Sequence, residues 1–155
     1  MNLEQILTKK QTILDSLCSC EAILSLLRPE SEPELTGDEM KYRFIYPYRK
    51  APAADLEACS LLCFDINIAK VPNLTVCEME LKFFFTCHET LIKTAGGNRT
   101  DLLAKEVENL FSWNPELGIG RVIPAEQNAW IGWNTPAPYY GRRLTFSIQD
   151  FQRRP

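Results

Sequence analysis

The chain has 155 residues, 45% hydrophobic and 24% charged, with a formal net charge of -3, the balance of a globular protein that buries roughly two thirds of its unfolded surface. A single domain over residues 1–155 is expected, and the acidic balance excludes the basic stripe of a dedicated nucleic-acid binder. No run approaches the roughly 20 apolar residues of a membrane span, and the start, Met1-Asn2-Leu3-Glu4-Gln5, lacks a signal-peptide pattern, so a reducing cytoplasm without membrane contact is expected.

Over residues 3–27, Ile6, Leu7, Ile13, Leu14, Leu17, Ile23, Leu24 and Leu27 recur at helical spacing. They predict one long helix, or two helices broken near Cys18-Ser19-Cys20, stopped by Pro29. The acidic, proline-interrupted stretch 29–34 has no apolar period and reads as a mobile surface loop. Residues 41–46 can form a strand, and Pro47-Tyr48-Arg49-Lys50-Ala51-Pro52 ends it as a basic, aromatic loop exposed for contact.

Two long strands follow, Leu62-Phe64-Ile66-Ile68 and Cys77-Met79-Leu81-Phe83-Phe85-Cys87, apolar at every second position. Such alternation predicts an antiparallel sheet with one face packed and the other polar. A turn centred between Pro72 and Asn73 sets Ile66 opposite Met79 and Phe64 opposite Leu81. Asp65 and Asn67 then face Glu80 and Glu78. Like charges opposite each other are destabilising, so cations, Lys82 among them, are expected over that face.

Thr94-Ala95-Gly96-Gly97-Asn98 reads as a flexible joint into a helix over residues 99–111, with Asn98 as its cap, Asp101 in its first turn and Leu103, Val107, Leu110 and Phe111 as its apolar stripe. Residues 118–123 predict a strand, residues 124–138 a loop rich in Pro and Trp, and residues 140–151 a last alternating strand. The order is α-β-β-β-α-β-β: an α+β fold whose antiparallel sheet carries a long hairpin and is covered by an N-terminal helix and a second helix.

Little in this pattern points to catalysis. Cys18, Cys20, Cys59, Cys63, Cys77 and Cys87 lack the paired spacing of a zinc site, and a reducing compartment disfavours disulfides. Cys77 and Cys87 fall in phase with the apolar strand face, where free cysteine packs as a small hydrophobe. His88 adjoins Cys87, but neighbouring strand residues point to opposite faces, so the two cannot work as base and nucleophile. Gly96-Gly97-Asn98-Arg99-Thr100 lacks the full phosphate-loop pattern, and Gly118-Ile119-Gly120 specifies only backbone freedom. The expectation is a protein that is not an enzyme, with no catalytic residue, metal or cofactor. A different reading is a small-ligand or regulatory domain that stacks its ligand on Trp130 and Trp133, and a third is a cysteine-dependent redox or metal protein.

The segment Ile45-Tyr46-Pro47-Tyr48, the long hairpin, the helix opening Arg99-Thr100-Asp101-Leu102-Leu103, Gly118-Ile119-Gly120-Arg121-Val122 and Tyr140-Gly141-Arg142-Arg143-Leu144 together resemble the tail-terminator and tail-completion (neck) proteins of tailed bacteriophages. That resemblance implies a structural virion protein, assembled in the host bacterial cytoplasm as a ring, by analogy a hexamer, at the head-proximal end of the tail tube. The ring would end tube polymerisation and join the tail to a neck, connector or head-completion protein, with the tail tube protein and its own copies as partners and DNA only as passing cargo. Arg43, Arg49, Lys50, Glu78, Glu80, Lys82, Arg142 and Arg143 are the interface candidates.

Overall fold

The computed structural model describes residues 3–52, 57–124 and 138–151. It is an α+β fold, as expected. Within the described residues the N-terminal helical region is two helices, α1 (Leu3–Cys18) and α2 (Glu21–Leu27), separated where Cys20 takes an extended conformation. A one-turn helix, α3 (Gly37–Met40), follows. Its start presses on the end of α1, where a Cβ on Gly37 would lie 1.9 Å from the Cys18 carbonyl oxygen. Only glycine fits there.

The sheet is mixed, in the order β1-β2-β3-β7-β6. Its strands are β1 (Ile45–Tyr46), β2 (Ser60–Lys70), β3 (Val76–His88), β6 (Arg121–Pro124) and β7 (Tyr139–Phe151). The strand expected over residues 41–46 is thus confined to its last two residues. The missed signal is Thr36-Gly37-Asp38-Glu39, a capping box in which the Thr36 hydroxyl accepts from the Glu39 N–H at 3.3 Å and starts α3. Nor does β1 join the sheet antiparallel. Ile45 pairs with Leu62 and Tyr46 with Cys63 in parallel, which residues 47–59 allow because a parallel return needs a connection of about a dozen residues.

The hairpin register also differs from expectation. Phe64 pairs with Phe83, Asp65 with Lys82, Ile66 with Leu81 and Asn67 with Glu80. The chain turns one residue later than expected because Asn73 organises the tip: its side-chain oxygen accepts from the N–H groups of Thr75 and Val76, both at 2.8 Å. A one-residue shift of the turn moves every partner by two places and keeps every side chain on its face. The acidic crowding therefore does not form, and Asp65 meets a cation instead.

Two segments read as loose are fastened. In the stretch expected to be a mobile loop, Glu32 pairs with Arg43, and just beyond it the buried Leu35 has its carbonyl held by Arg28 Nε at 2.7 Å. The expected joint before the second long helix is a small hairpin of β4 (Lys93–Thr94) and β5 (Gly97–Asn98) leading into α4 (Arg99–Phe111). Asn98 occupies the cap position without a side-chain cap bond, while the Arg99 guanidinium holds the carbonyls of Leu91 at 2.8 Å and Leu26 at 2.6 Å.

One face of the sheet shares its core with α1, α2 and α4. Phe83 is its centre, with ring centroids 5.9 Å from Phe64, 5.1 Å from Phe111 and 6.0 Å from Phe146, separations at which aromatic pairs attract. Lys9 ties α1 to this face. Only 6% exposed, it donates to the Ile119 carbonyl at 2.8 Å and pairs with Asp150. Gly120, next to that carbonyl, has φ 107° and lies where a Cβ would be 2.7 Å from the Gln149 carbonyl oxygen. Removing one partner of the largely buried Lys9–Asp150 pair costs about 3–5 kcal/mol.

Candidate assembly surface

The opposite face of β2, β3 and β7 divides into two zones. In the first, Leu61 and Cys63 of β2 pair with Thr86 and Phe84 of β3, and those pair with Gly141 and Arg143 of β7. Leu61, Cys63, Phe84 and Thr86 are all buried. The loop after β1 packs here: the Arg49 guanidinium sits 5.0 Å from the Phe84 ring centroid, a cation-π contact, and the Cys63 thiol lies 3.9 Å from the Lys50 carbonyl. Among the described residues the Thr86 hydroxyl and Arg143 Nε, both buried here, have no hydrogen-bond partner.

The second zone is polar and open. Three rows cross it: Asp65, Lys82 and Thr145; Asn67, Glu80 and Ser147; and, past a bulge in β2, Lys70, Glu78 and Gln149. Lys82 Nζ is 2.8 Å from Glu80, Lys10 of α1 reaches Asp65 at 3.2 Å, and the Ser147 hydroxyl donates to Glu78 at 3.3 Å. The charges lie on β2 and β3, where Asp65 faces Lys82 and Lys70 faces Glu78, while β7 adds only the uncharged Thr145, Ser147 and Gln149. Half-exposed pairs of this kind contribute about 0–1 kcal/mol each to the fold.

Six of the eight predicted contact residues, Arg49, Lys50, Glu78, Glu80, Lys82 and Arg143, belong to this face or to the loop packed on it. Arg43 stands beside it, paired with Glu32 and 5.1 Å from the Phe44 ring centroid. Arg142 faces the helices and pairs with Asp101 of α4, so the structure separates it from its neighbour Arg143. Beside the covered zone lies a groove of about 290 Å3 floored by Phe44, Tyr46, Pro52, Ala58 and Leu61. No sequence pattern marked it, because its walls come from four separate segments.

His88 lies at the end of β3, hydrogen-bonded to the Thr90 hydroxyl at 2.8 Å and edge-on to Tyr139. Burial pushes the Cys18 thiol up to about 11 and raises those of Cys59, Cys63, Cys77 and Cys87. These thiols stay protonated near neutral pH, the inert condition for cysteine. Among the described residues no three of His, Cys, Asp and Glu gather as a metal would require, and no helix is long and apolar enough to cross a membrane. Trp130 and Trp133 lie outside the described residues. A family model described as YomW matches residues 21–148, which include the sheet from β1 through most of β7. No protein with a curated description matches the chain.

Proposed function

Because the chain belongs to the YomW family and is phage-related, we propose that it is a structural virion protein rather than an enzyme. It forms a ring, six copies by analogy with tail terminators, at the head-proximal end of a tail tube. There it ends tube growth and offers its far side to a neck, connector or head-completion protein. Assembly takes place in the host cytoplasm, and DNA passes through the ring as cargo.

The observation that carries this reading is the open zone on the long hairpin and β7. Opposite charges paired across β2 and β3, Asp65 with Lys82 and Lys70 with Glu78, beside the uncharged polar row of β7 give a surface that recognises a partner by register, since a displaced partner would set like charges together. A ring built by repeating one such contact needs two different surfaces on each subunit, and it closes when the rotation between copies closes. Electron microscopy of a lysate from phage lacking the gene tests the reading. Overlong or unjoined tails beside filled heads are expected. Normal tails attached to heads would refute it, and leaking heads beside normal free tails would place the protein on the head side of the neck.

A further inference from the structure

Past β1 the edge of β2 runs bare. Ile45 and Tyr46 cover only Leu62 and Cys63. Among the described residues no strand lies on that side of the stretch from Phe64 to Lys70, and Asn67, Ile68, Ala69 and Lys70 are exposed. Leu62 gives its N–H to the Phe44 carbonyl at 2.9 Å on the β1 side, so by strand parity Phe64, Ile66 and Ile68 turn their amide groups the same way. Such a row is a template for another strand. The opposite edge of the sheet offers less: β6 ends in Pro124, and its Val122 carbonyl is taken by the Trp113 N–H at 3.0 Å.

In the middle of the bare stretch the chain closes its own edge. One oxygen of the Asp65 carboxylate accepts from the Ile66 N–H at 2.9 Å, and the same oxygen lies 3.2 Å from Lys10 Nζ of α1. The other oxygen accepts from Asn67 Nδ2 at 3.5 Å. Beyond Ile68 the bulge in β2 bends the rest of the edge out of line. We propose that Asp65, with Lys10 beside it, is an edge guard. It occupies the Ile66 N–H and sets a charge pair where a second copy would otherwise lay its own β2 alongside, antiparallel to the first. The excluded partner is a second copy because each molecule brings the same bare edge, and two identical edges meet about a two-fold axis. Pairing there would take the carboxylate and the ammonium out of water in a closed seam, which is unfavourable. A two-fold contact also ends at two copies, so it would withdraw subunits from any contact that must repeat around a ring. The guard goes beyond the proposed ring and does not depend on it.

Variants of the full chain and a measurement on the wild type test it. Asp65→Ala frees the Ile66 N–H, whereas Asp65→Asn keeps an oxygen that accepts from it. Asp65→Ala combined with Ile68→Pro frees that N–H but removes the next one along the edge. Sedimentation velocity over a concentration series is expected to show dimers of Asp65→Ala at protein concentrations about tenfold or more below those at which the wild type pairs, with unchanged circular dichroism. Asp65→Asn and the double variant are expected to match the wild type. In the wild type itself, amide hydrogen exchange read by NMR is expected to be about tenfold or more slower at Ile66 than at Ile68. Asp65→Ala that associates no more than wild type, Asp65→Asn that associates as Asp65→Ala does, a double variant that still associates, or equal exchange at the two amides would each overturn the guard. Should Asp65→Ala lose its native dichroism, the exchange measurement decides alone. The lysate experiment judges the ring separately. The two readings also differ in sign, because Asp65 lies on the open face: its removal weakens the proposed ring contact, whereas loss of the guard strengthens association.

Discussion

The two faces of the central sheet are made from the same three strands and differ in how much each position tolerates. On the helix-covered face, Phe64, Phe83 and Leu144 form one cross-strand row, each fully buried. One residue along, Asp65, Lys82 and Thr145 form the next row on the open face, in partial contact with solvent. Stability is concentrated in the first row, and the proposed recognition falls on the second. A strand buried on one side can therefore carry a changeable contact surface without endangering the fold.

The largest expected effect comes from breaking the covered face. Phe83→Asp places a charge among the rings of Phe64, Phe111 and Phe146, a cost comparable to the whole stability of a domain, about 5–15 kcal/mol. The variant is expected to lose its cooperative thermal transition and near-ultraviolet dichroism. A folded Phe83→Asp protein would mean that the faces are assigned the wrong way round.

A smaller effect sharpens the comparison through pH. Cys18 lies 8% exposed at the end of α1, and its thiol titrates at about 11 instead of 9.0 because burial disfavours the thiolate. The folded state holds this proton where the unfolded chain releases it, so its contribution is complete below pH 9 and is lost as pH rises towards 11. Urea titrations across that window are expected to show a loss of up to about 3 kcal/mol, at 1.36 kcal/mol per unit. Cys18→Ala is expected to flatten the slope, and an unchanged slope would place the alkaline sensitivity elsewhere.

The smallest effect on stability is expected on the open face. Reversing both Glu78 and Glu80 to Lys removes the 2.8 Å contact with Lys82 and the Ser147 bond, worth about 1 kcal/mol or less together. The melting temperature is expected to move by only a few degrees, while assembly weakens. A collapsed fold in this variant would erase the distinction between the faces.

Much of this contrast is legible in the sequence because period-two alternation needs no partner to be recognised. The faces of β2 and β3 and the extent of α4 follow from spacing, whereas spacing allowed either one long helix or the observed break after Cys18. Register is not legible in that way, since Asn73 decides it by bonding Thr75 and Val76 across the turn, which alternation does not encode. The parallel pairing of Ile45 with Leu62 depends on where residues 47–59 lead the chain, and the groove depends on segments distant in sequence. The separation of Arg142 from Arg143 follows from alternation alone. The choice of Asp101 as partner for Arg142 needs the packed α4.

The contact between Gln5 and the Phe151 carbonyl at 3.3 Å brings the beginning of α1 and the end of β7 to one corner of the molecule, beside Val76 and the hairpin tip. The described chain is thereby nearly circular. A short linker could join the two ends, and the chain could be reopened at the exposed Ala95-Gly96 turn between β4 and β5 without cutting a strand of the main sheet. The same closeness guides labelling. A label at Gln5 or Phe151 would stand beside the tip, whereas one inserted at that turn would leave it clear.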